Sequence, residues 1–511
     1  MRLLLIAGLL ALSARAQDAR VQTLSAVEGG VVGPHTDGDR FGVSAARLGD
    51  LDGDGTVEVA VGAYAAGLGT GTIHLLSLQR DGTSAASREL RPDGVDVGDF
   101  YGTAVAAVGD LDGDGRFDLA VGADRDDDGG ENRGAVWVLF LTEAGGVDRV
   151  QKISATTGGL TDGPADGDLF GHSVTALGDL DADGIPDLAV GGDDADDGGP
   201  NRGAVWILFM NADGTVRATQ RISDSAGGFS GALDDDDLFG QAVAGLGDLD
   251  GDGVPDLAVA ASLDDDGGDG QGAVWILFLN RDGTVRQHQK ISATAGGFSG
   301  ALDPLDVFGS SLVAPGDLNG DGVPDLLVGA NRDDDGGPDR GAGWVLFLNP
   351  DGTVRAHDKL SGAGLGPTAD GDEWNPTAAL GDLDGDGAAD LLFGSRLADL
   401  GGTNRGAARV LFTGYAVPTE TGPRAGALGV PFPNPIGAGA VTVPFTLAEA
   451  GPVRLAVVDA LGREVAVLAD GPLAAGEHRV PLAAGSWAPG VYLVRLVAGR
   501  AAETRTFVVA R

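Results

Sequence analysis

Carboxylates recur in this chain at a spacing that suits one kind of chemistry. In GDLDGDGRFD, residues 109–118, Asp110, Asp112, Asp114 and Asp118 hold positions 1, 3, 5 and 9 of a short loop, and Gly115 holds position 6. Alternate acidic side chains on a chain that doubles back converge on one point, where like charges repel unless a counter-ion sits between them. Glycine at position 6 admits the sharp turn, and the carbonyl of position 7 can join the carboxylates. Oxygen-only coordination of this kind fits Ca²⁺ better than Mg²⁺, which needs tighter geometry and sheds water reluctantly. The pattern stands again at Asp50, Asp52, Asp54 and Glu58, at Asp179, Asp181, Asp183 and Asp187, and at Asp248, Asp250, Asp252 and Asp256. It stands also at Asp317, Asn319, Asp321 and Asp325, and at Asp382, Asp384, Asp386 and Asp390. About one Ca²⁺ per loop is expected. The competing reading, solvated Asp-Gly turns, loses ground when six loops share one register. The loop is not an EF-hand, since Val121 stands at position 12, where a bidentate Glu would be needed, and apolar strand-like runs flank it.

The elements that position these loops repeat with them. The first aspartates lie 60, 69, 69, 69 and 65 residues apart, and Trp137, Trp206, Trp275 and Trp344 keep the period of 69. Such a period holds about four short strands with their turns. In one unit, residues 170–177 read as a first strand, 188–190 as a second, 204–209 as a third and 215–223 as a more polar fourth. The third is apolar on both faces, so both should be buried. Stacked four-stranded units of this kind predict an all-β fold, a β-propeller of six blades, with a degenerate seventh left open. A solenoid is the competitor. The ends of the array favour the ring: residues 21–25 resemble a fourth strand, and the last unit runs out after its third, near residues 408–412. The N-terminal strand should complete the final blade.

Composition sets the setting. The chain has 511 residues and a net charge of −42, which disfavours nucleic acid and anionic lipid as partners and favours cations. Arg2, the apolar run at 3–12 and the small residues Ala14 and Ala16 form the parts of a signal peptide over residues 1–16, so export is expected. No later stretch reads as a transmembrane segment. An exported chain without a single cysteine needs another staple, and the acidic loops offer one.

A second acidic series, DRDDDGG at 124–130 with counterparts at 193, 264 and 333, lacks ligand spacing and reads as solvated turns on one rim. The loops 158–168, 227–237 and 296–306 share that rim, with Phe229 and Phe298 as candidates to meet a sugar ring or a partner's pocket. No catalytic constellation recurs. The six histidines do not cluster, neither a G-x-S-x-G nor an H-E-x-x-H motif occurs, and His172 reads as a strand residue rather than a base.

Phe-Gly, then the acidic loop, then Val-Gly-Ala resembles the FG-GAP repeat of integrin α-subunit propellers and their bacterial relatives. Phe41-Gly42, Phe170-Gly171, Phe239-Gly240 and Phe308-Gly309 stand at the first position, and Val61-Gly62-Ala63, Val121-Gly122-Ala123 and Val328-Gly329-Ala330 at the last. Tyr101-Gly102, Trp374-Asn375 and Val259-Ala260-Ala261 depart from it. The resemblance spans residues 20–415 and implies the propeller and its calcium, but not a ligand.

After residue 416 the composition changes. Residues 417–430 read as a Pro/Gly/Thr linker, and short alternating strands at 441–447, 453–459, 464–468, 478–482, 490–497 and 504–509 read as a small immunoglobulin-like β-sandwich over 431–511. This segment resembles the type A C-terminal sorting domain of the type IX secretion system, on Phe432-Pro433-Asn434-Pro435, on Asp459-Ala460-Leu461-Gly462-Arg463, on Gly490-Val491-Tyr492-Leu493-Val494 and on the closing Phe507-Val508-Val509. The resemblance implies passage across the outer membrane and removal of the domain there, leaving residues 17–416 as the propeller. The expected function is a calcium-binding, surface or secreted binding and adhesion module for an extracellular glycan or protein. The alternative is an extracellular calcium-dependent polysaccharide lyase or hydrolase, which a cleft with His or Tyr and Arg converging would favour.

Overall fold

The computed structural model describes residues 20–31, 36–361, 369–415 and 425–428, Trp487, and six strands between 441 and 509. The leader at 1–16, His35 and the Phe432-Pro433-Asn434-Pro435 motif lie outside the described residues. The chain divides into two compact units, Met1–Val417 and Pro418–Arg511.

Unit one opens with β1 (Arg20–Leu24). Blade 1 is β2 (Ala45–Gly49), β3 (Val57–Ala63), β4 (Thr72–Leu78) and β5 (Ser84–Leu90), and blade 2 is β6 (Tyr101–Gly109), β7 (Asp118–Ala123), β8 (Ala135–Leu141) and β9 (Val147–Ser154). Blade 3 is β10 (Ser173–Gly178), β11 (Asp187–Gly192), β12 (Ala204–Met210) and β13 (Val216–Ser223), and blade 4 is β14 (Phe239–Gly247), β15 (Asp256–Ala261), β16 (Ala273–Leu279) and β17 (Val285–Ile291). Blade 5 is β18 (Phe308–Gly316), β19 (Asp325–Ala330), β20 (Ala342–Leu348) and β21 (Val354–Ser361), and blade 6 holds β22 (Asn375–Gly381), β23 (Asp390–Ser395) and β24 (Ala407–Phe412). Each blade is an antiparallel meander, and β1 supplies the fourth strand of blade 6, in the order β1-β24-β23-β22. Arg20 lies opposite Phe412 and Leu24 opposite Ala408. The first strands β2, β6, β10, β14, β18 and β22 each touch the next, and β22 touches β2, so six blades close a ring about one axis. Among the described residues of this unit no seventh blade occurs.

The third strands are buried at every position in blades 2 to 6, as in AVWVLFL of β8 and AVWILFL of β16, and at all but Ser77 in blade 1, because each blade is covered on both faces by its neighbours. The Phe-Gly pair makes that stacking tight. Phe170 packs edge-on to Trp206 at 5.4 Å, and Phe41 does the same to His74, which takes the place of the tryptophan in blade 1. Gly171 has φ +97°, and a Cβ there would lie 2.4 Å from the Ala135 carbonyl of blade 2. A Cβ on Gly122 would meet the Gly171 carbonyl at 1.9 Å, and one on Gly394 of blade 6 would meet Gly42 of blade 1 at 1.8 Å. The glycines thus let each blade press its backbone against the next, and the junction between blades 6 and 1 is built like the others.

Unit two contains β25 (Ala425–Leu428), β26 (Val441–Leu447), β27 (Gly451–Asp459), β28 (Glu464–Leu473), β29 (Gly476–Leu482), β30 (Gly490–Ala498) and β31 (Ala501–Val509). They form a sheet β25-β26-β29 and a sheet β28-β27-β30-β31. Phe445 from the first and Leu455, Val457, Val494 and Leu496 from the second share one buried cluster. β25 lies inside the stretch read as linker, because Ala425 and Leu428 pair with Leu447 and Phe445 of β26.

Candidate functional site

Each acidic loop joins the first and second strands of its blade, so all six open on the same face of the ring. In blade 2 the loop folds on its own carboxylates. Asp110 accepts from the Gly115 N–H at 2.8 Å, Asp112 from Asp114 N–H at 3.1 Å, and Asp114 from Arg116 N–H at 2.9 Å. Asp118 begins β7 and is buried, accepting from Leu111 N–H at 3.0 Å and from Leu141 N–H on β8 at 3.3 Å. The same bonds recur at Asp187, Asp256 and Asp325 with 3.0, 3.0 and 2.8 Å to the position-2 N–H. The position-9 carboxylate is therefore a fixed foot, anchored to the sheet, beneath the exposed carboxylate of position 1.

One oxygen from each of positions 1, 3 and 9 falls within 4.8 Å of the others in five loops: Asp50, Asp52 and Glu58; Asp110, Asp112 and Asp118; Asp179, Asp181 and Asp187; Asp248, Asp250 and Asp256; Asp382, Asp384 and Asp390. Three carboxylate oxygens at that spacing, one of them buried, fit a divalent cation. Position 5 (Asp54, Asp114, Asp183, Asp252 and Asp386) is not part of these three-carboxylate groups and caps the position-7 N–H instead. In blade 5 Asn319 replaces the position-3 carboxylate and donates to Asp325 at 3.1 Å, beside Asp317 and Asp321. Burial pushes Asp118, Asp187 and Asp390 up to about 6 and Asp256 and Asp325 up to about 7, the neighbouring carboxylates of each loop adding to it.

Arginines that the spacing analysis passed over brace these loops. Arg217 and Arg286 on the fourth strands bond Asp181 at 2.5 Å and Asp250 at 2.7 Å, Arg355 bonds Asp321, and Arg149 and Arg20 reach Asp112 at 3.0 Å and Asp384 at 3.2 Å. Four of them lie over a third-strand phenylalanine: Arg149 over Phe140, Arg217 over Phe209, Arg286 over Phe278 and Arg20 over Phe412. Each holds an outer oxygen of position 3, fixing which oxygen faces the loop. The signal was present in the recurrence of arginine at 217, 286 and 355, one period apart.

The second acidic series is not solvated. Asp126, Asp264 and Asp333 are buried, and Lys152, Lys290 and Lys359, the chain's three lysines, bridge them to Asp128, Asp266 and Asp335. Each ammonium also sits over Trp137, Trp275 or Trp344. Arg221 fills the same slot in blade 3, over Trp206 and 2.6 Å from Asp197, because Ala195 stands where the other blades carry the buried aspartate. Phe229 and Phe298 are likewise buried, packed on Trp275 and Trp344 at 5.1 Å, and so do not meet a ligand at the surface.

On the opposite face, where first strands begin and second strands end, a cavity of about 430 Å³ opens on the axis. His172 lies there with Nδ1 3.1 Å from Asp124 and 3.6 Å from Asp193. Burial pushes His172 down, but the two carboxylates outweigh it and hold the imidazole at about 9. Tyr64, Arg125, Arg332 and Arg396 line the same cavity, and Arg396 is paired with Glu373 at 2.6 Å. His172 is therefore a wall of this cavity, and it lies just before β10 rather than in the strand expected from the sequence.

Comparison with known proteins agrees with the ring. Residues 101–139 and 170–208 match the FG-GAP repeat, and residues 248–328 match the FG-GAP-like repeat. Integrin alpha-PS2 of Drosophila melanogaster is 32% identical over 219 residues, covering 42% of this chain and 15% of its own length. Human integrin alpha-IIb is 34% identical over 228 residues, covering 43% and 20%. The chain thus spans a fifth or less of the length of these relatives. A solved structure of PorZ, described as an essential surface component of the type-IX secretion system of Porphyromonas gingivalis, aligns with 92% of this chain and 51% of its own at 15% identity, but its TM-score of 0.33 is below that of a shared fold. The repeats, the integrin alpha relatives and the six closed blades together make unit one an FG-GAP β-propeller.

Proposed function

We propose that this protein is an exported, calcium-loaded propeller that binds an extracellular glycan or protein, carried out of the cell by its C-terminal unit. The observation that carries the reading is the set of in-register loops, five of which bring three carboxylate oxygens within 4.8 Å of one another. Asp50, Asp110, Asp179, Asp248, Asp317 and Asp382 and their partners at positions 3 and 9 hold Ca²⁺. The likeness to integrin alpha chains and the signal-like leader support a location outside the cell, and the sorting-domain motifs support the type IX machinery as its partner in export. Loops this acidic resist folding without a cation, so binding energy is linked to stability. Chelation is expected to lower Tm by many degrees, with Ca²⁺ restoring it better than Mg²⁺. An unchanged melting curve in excess chelator would remove calcium from the reading.

The convergence of His172, Tyr64 and arginines on one cavity favours a second reading, a polysaccharide lyase. Against it, His172 is held protonated near neutral pH by Asp124 and Asp193, which does not suit a base. Incubation with a polysaccharide panel separates the two. Unsaturated products that vanish in His172→Ala establish a lyase, and shortened saturated products that vanish establish a hydrolase.

A further inference from the structure

We propose that the axial cavity binds a carboxylated sugar residue of an acidic polysaccharide, its hydroxyls meeting Asn331, Asp124 and Gln241 and its carboxylate meeting Arg332. The proposal rests on the glycan-binding reading above and names its site and ligand class.

The repeats themselves point to the axis. Elsewhere blades 3, 4 and 5 are near copies, as in AVWILFM, AVWILFL and AGWVLFL, or DGTVR in all three. At the residue after the Phe-Gly pair they differ completely: His172, Gln241, Ser310. The two residues that follow the second strand differ as much: Asp193-Asp194, Ser262-Leu263, Asn331-Arg332. Of these, His172, Gln241, Leu263, Ser310, Asn331 and Arg332 line the cavity. The third strands, which pack between blades, stay nearly identical while these positions vary, so the packing they carry does not account for the difference. A ligand that is itself unsymmetrical does explain it.

The backbone is also costly there. The residue before each Phe-Gly pair, or before the Tyr101-Gly102 and Trp374-Asn375 that replace it, is left-handed without being glycine: Arg40, Phe100, Leu169, Leu238, Val307 and Glu373, with φ between 52° and 60°. That conformation is strained for any residue but glycine. Four of these six side chains line the cavity, so the strain presents them to it.

The chemistry of the wall selects the ligand. Asn331 and Asp124 are 8% and 4% exposed, and each has a side-chain oxygen without a protein partner, as does Gln241. Buried acceptors of this kind require donors, and sugar hydroxyls supply them. Phe100, 5.1 Å from Tyr64, offers an aromatic edge with Arg125 over its ring at 4.8 Å. In a chain of net charge −42 an anion needs a local cation. His172 is neutralised by Asp124 and Asp193, Arg396 by Glu373, and Arg125 lies within electrostatic reach of Asp194. Arg332 is exposed, and no ion pair among the described residues occupies it. It sits in blade 5, opposite Arg125 of blade 2 across the ring.

The test is calorimetric titration of the full chain in saturating Ca²⁺ with oligogalacturonate and oligoalginate, and with cello-oligosaccharide as the neutral control. Acidic oligosaccharides are expected to bind, the neutral one not. Arg332→Gln should weaken binding about tenfold, the loss of one charge-assisted contact, with Tm unchanged. Asn331→Ala should weaken it several-fold, and Arg479→Gln in unit two should not change it. Acidic binding that survives Arg332→Gln and Asn331→Ala undiminished, or equal binding of the neutral sugar, overturns the pocket but leaves a glycan-binding propeller. Absence of any oligosaccharide binding overturns the pocket and, if no protein ligand is bound in Ca²⁺ either, the binding-module reading with it.

Discussion

Asp256 illustrates what the acidic loops ask of single residues. It is fully buried at the start of β15, it accepts two backbone N–H bonds, and burial still drives it up to about 7. A carboxyl whose folded pKa exceeds its unfolded value takes up a proton on folding. With protein groups alone, stability therefore rises as pH falls from about 7 towards 4. A cation requires the ionised form, so the stabilisation it brings grows as pH rises through the same window. The metal-stripped protein is expected to melt higher at pH 5 than at pH 8, the Ca²⁺-loaded protein not to show that loss, and the gap between them to widen with pH. A gap that does not vary with pH would show that the buried carboxylates are not ligands. The lysines make the complementary point. They were visible in the sequence as three isolated residues, yet their spacing of 138 and 69 is two periods and one. Their buried partners became clear only when the fourth strand was folded back on the loop after the second.

Among the elements, the junction between blades is the most sensitive, because backbone meets backbone there. A Cβ at Gly122 would lie 1.9 Å from the Gly171 carbonyl, so Gly122→Ala must spread blades 2 and 3. Blade 4 shows how much spreading is needed. Ala260 takes the glycine's place, and a Cβ on the facing Gly309 would stand 3.1 Å from the Ala273 carbonyl, where its counterpart at Gly171 stands 2.4 Å from Ala135. The departure from Val-Gly-Ala is thus accommodated by a wider junction, which the neighbours of Ala260 already supply. Gly122→Ala is expected to cost about 1–3 kcal/mol, read as a lower denaturation midpoint, while Ala260→Gly costs less. Equal effects at the two positions would mean that the junctions do not differ in width.

At the scale of the whole molecule, ring closure depends on five residues at the start of the propeller. Leu24 on β1 is fully buried and belongs to a cluster with Phe41, Val61, Leu392 and Val410, drawn from blades 1 and 6. Removing residues 17–25 exposes the edge of β24 and strips that cluster of its outer strand. Aggregation, or a large fall in Tm, is expected. Leu24→Ala should cost about 2–4 kcal/mol without changing the oligomeric state. A truncated chain that stays monomeric and melts normally would mean that the ring does not need its closing strand.

Periodicity was enough to read the repeat, the strand order within a blade, the missing fourth strand of the last blade and the loops whose carboxylates converge, because these follow from spacing along the chain. Asp110, Asp112 and Asp118 are near in sequence, and one loop brings them together whatever surrounds it. The strands of unit two were legible for the same reason, while β25 was not, since its short run AGAL carries no alternation and its strand forms by pairing with β26. What spacing could not reveal is what a ring does to residues one blade apart. The aspartates near 126, 264 and 333 look solvated along the chain, and Phe229 and Phe298 look free, because the groups that bury them arrive from other strands. His172 of blade 3 and the Asn331-Arg332 pair of blade 5 lie far apart in sequence and share a cavity only at the axis. Their shared cavity exists because six first strands converge there, a property of closure that no single repeat contains.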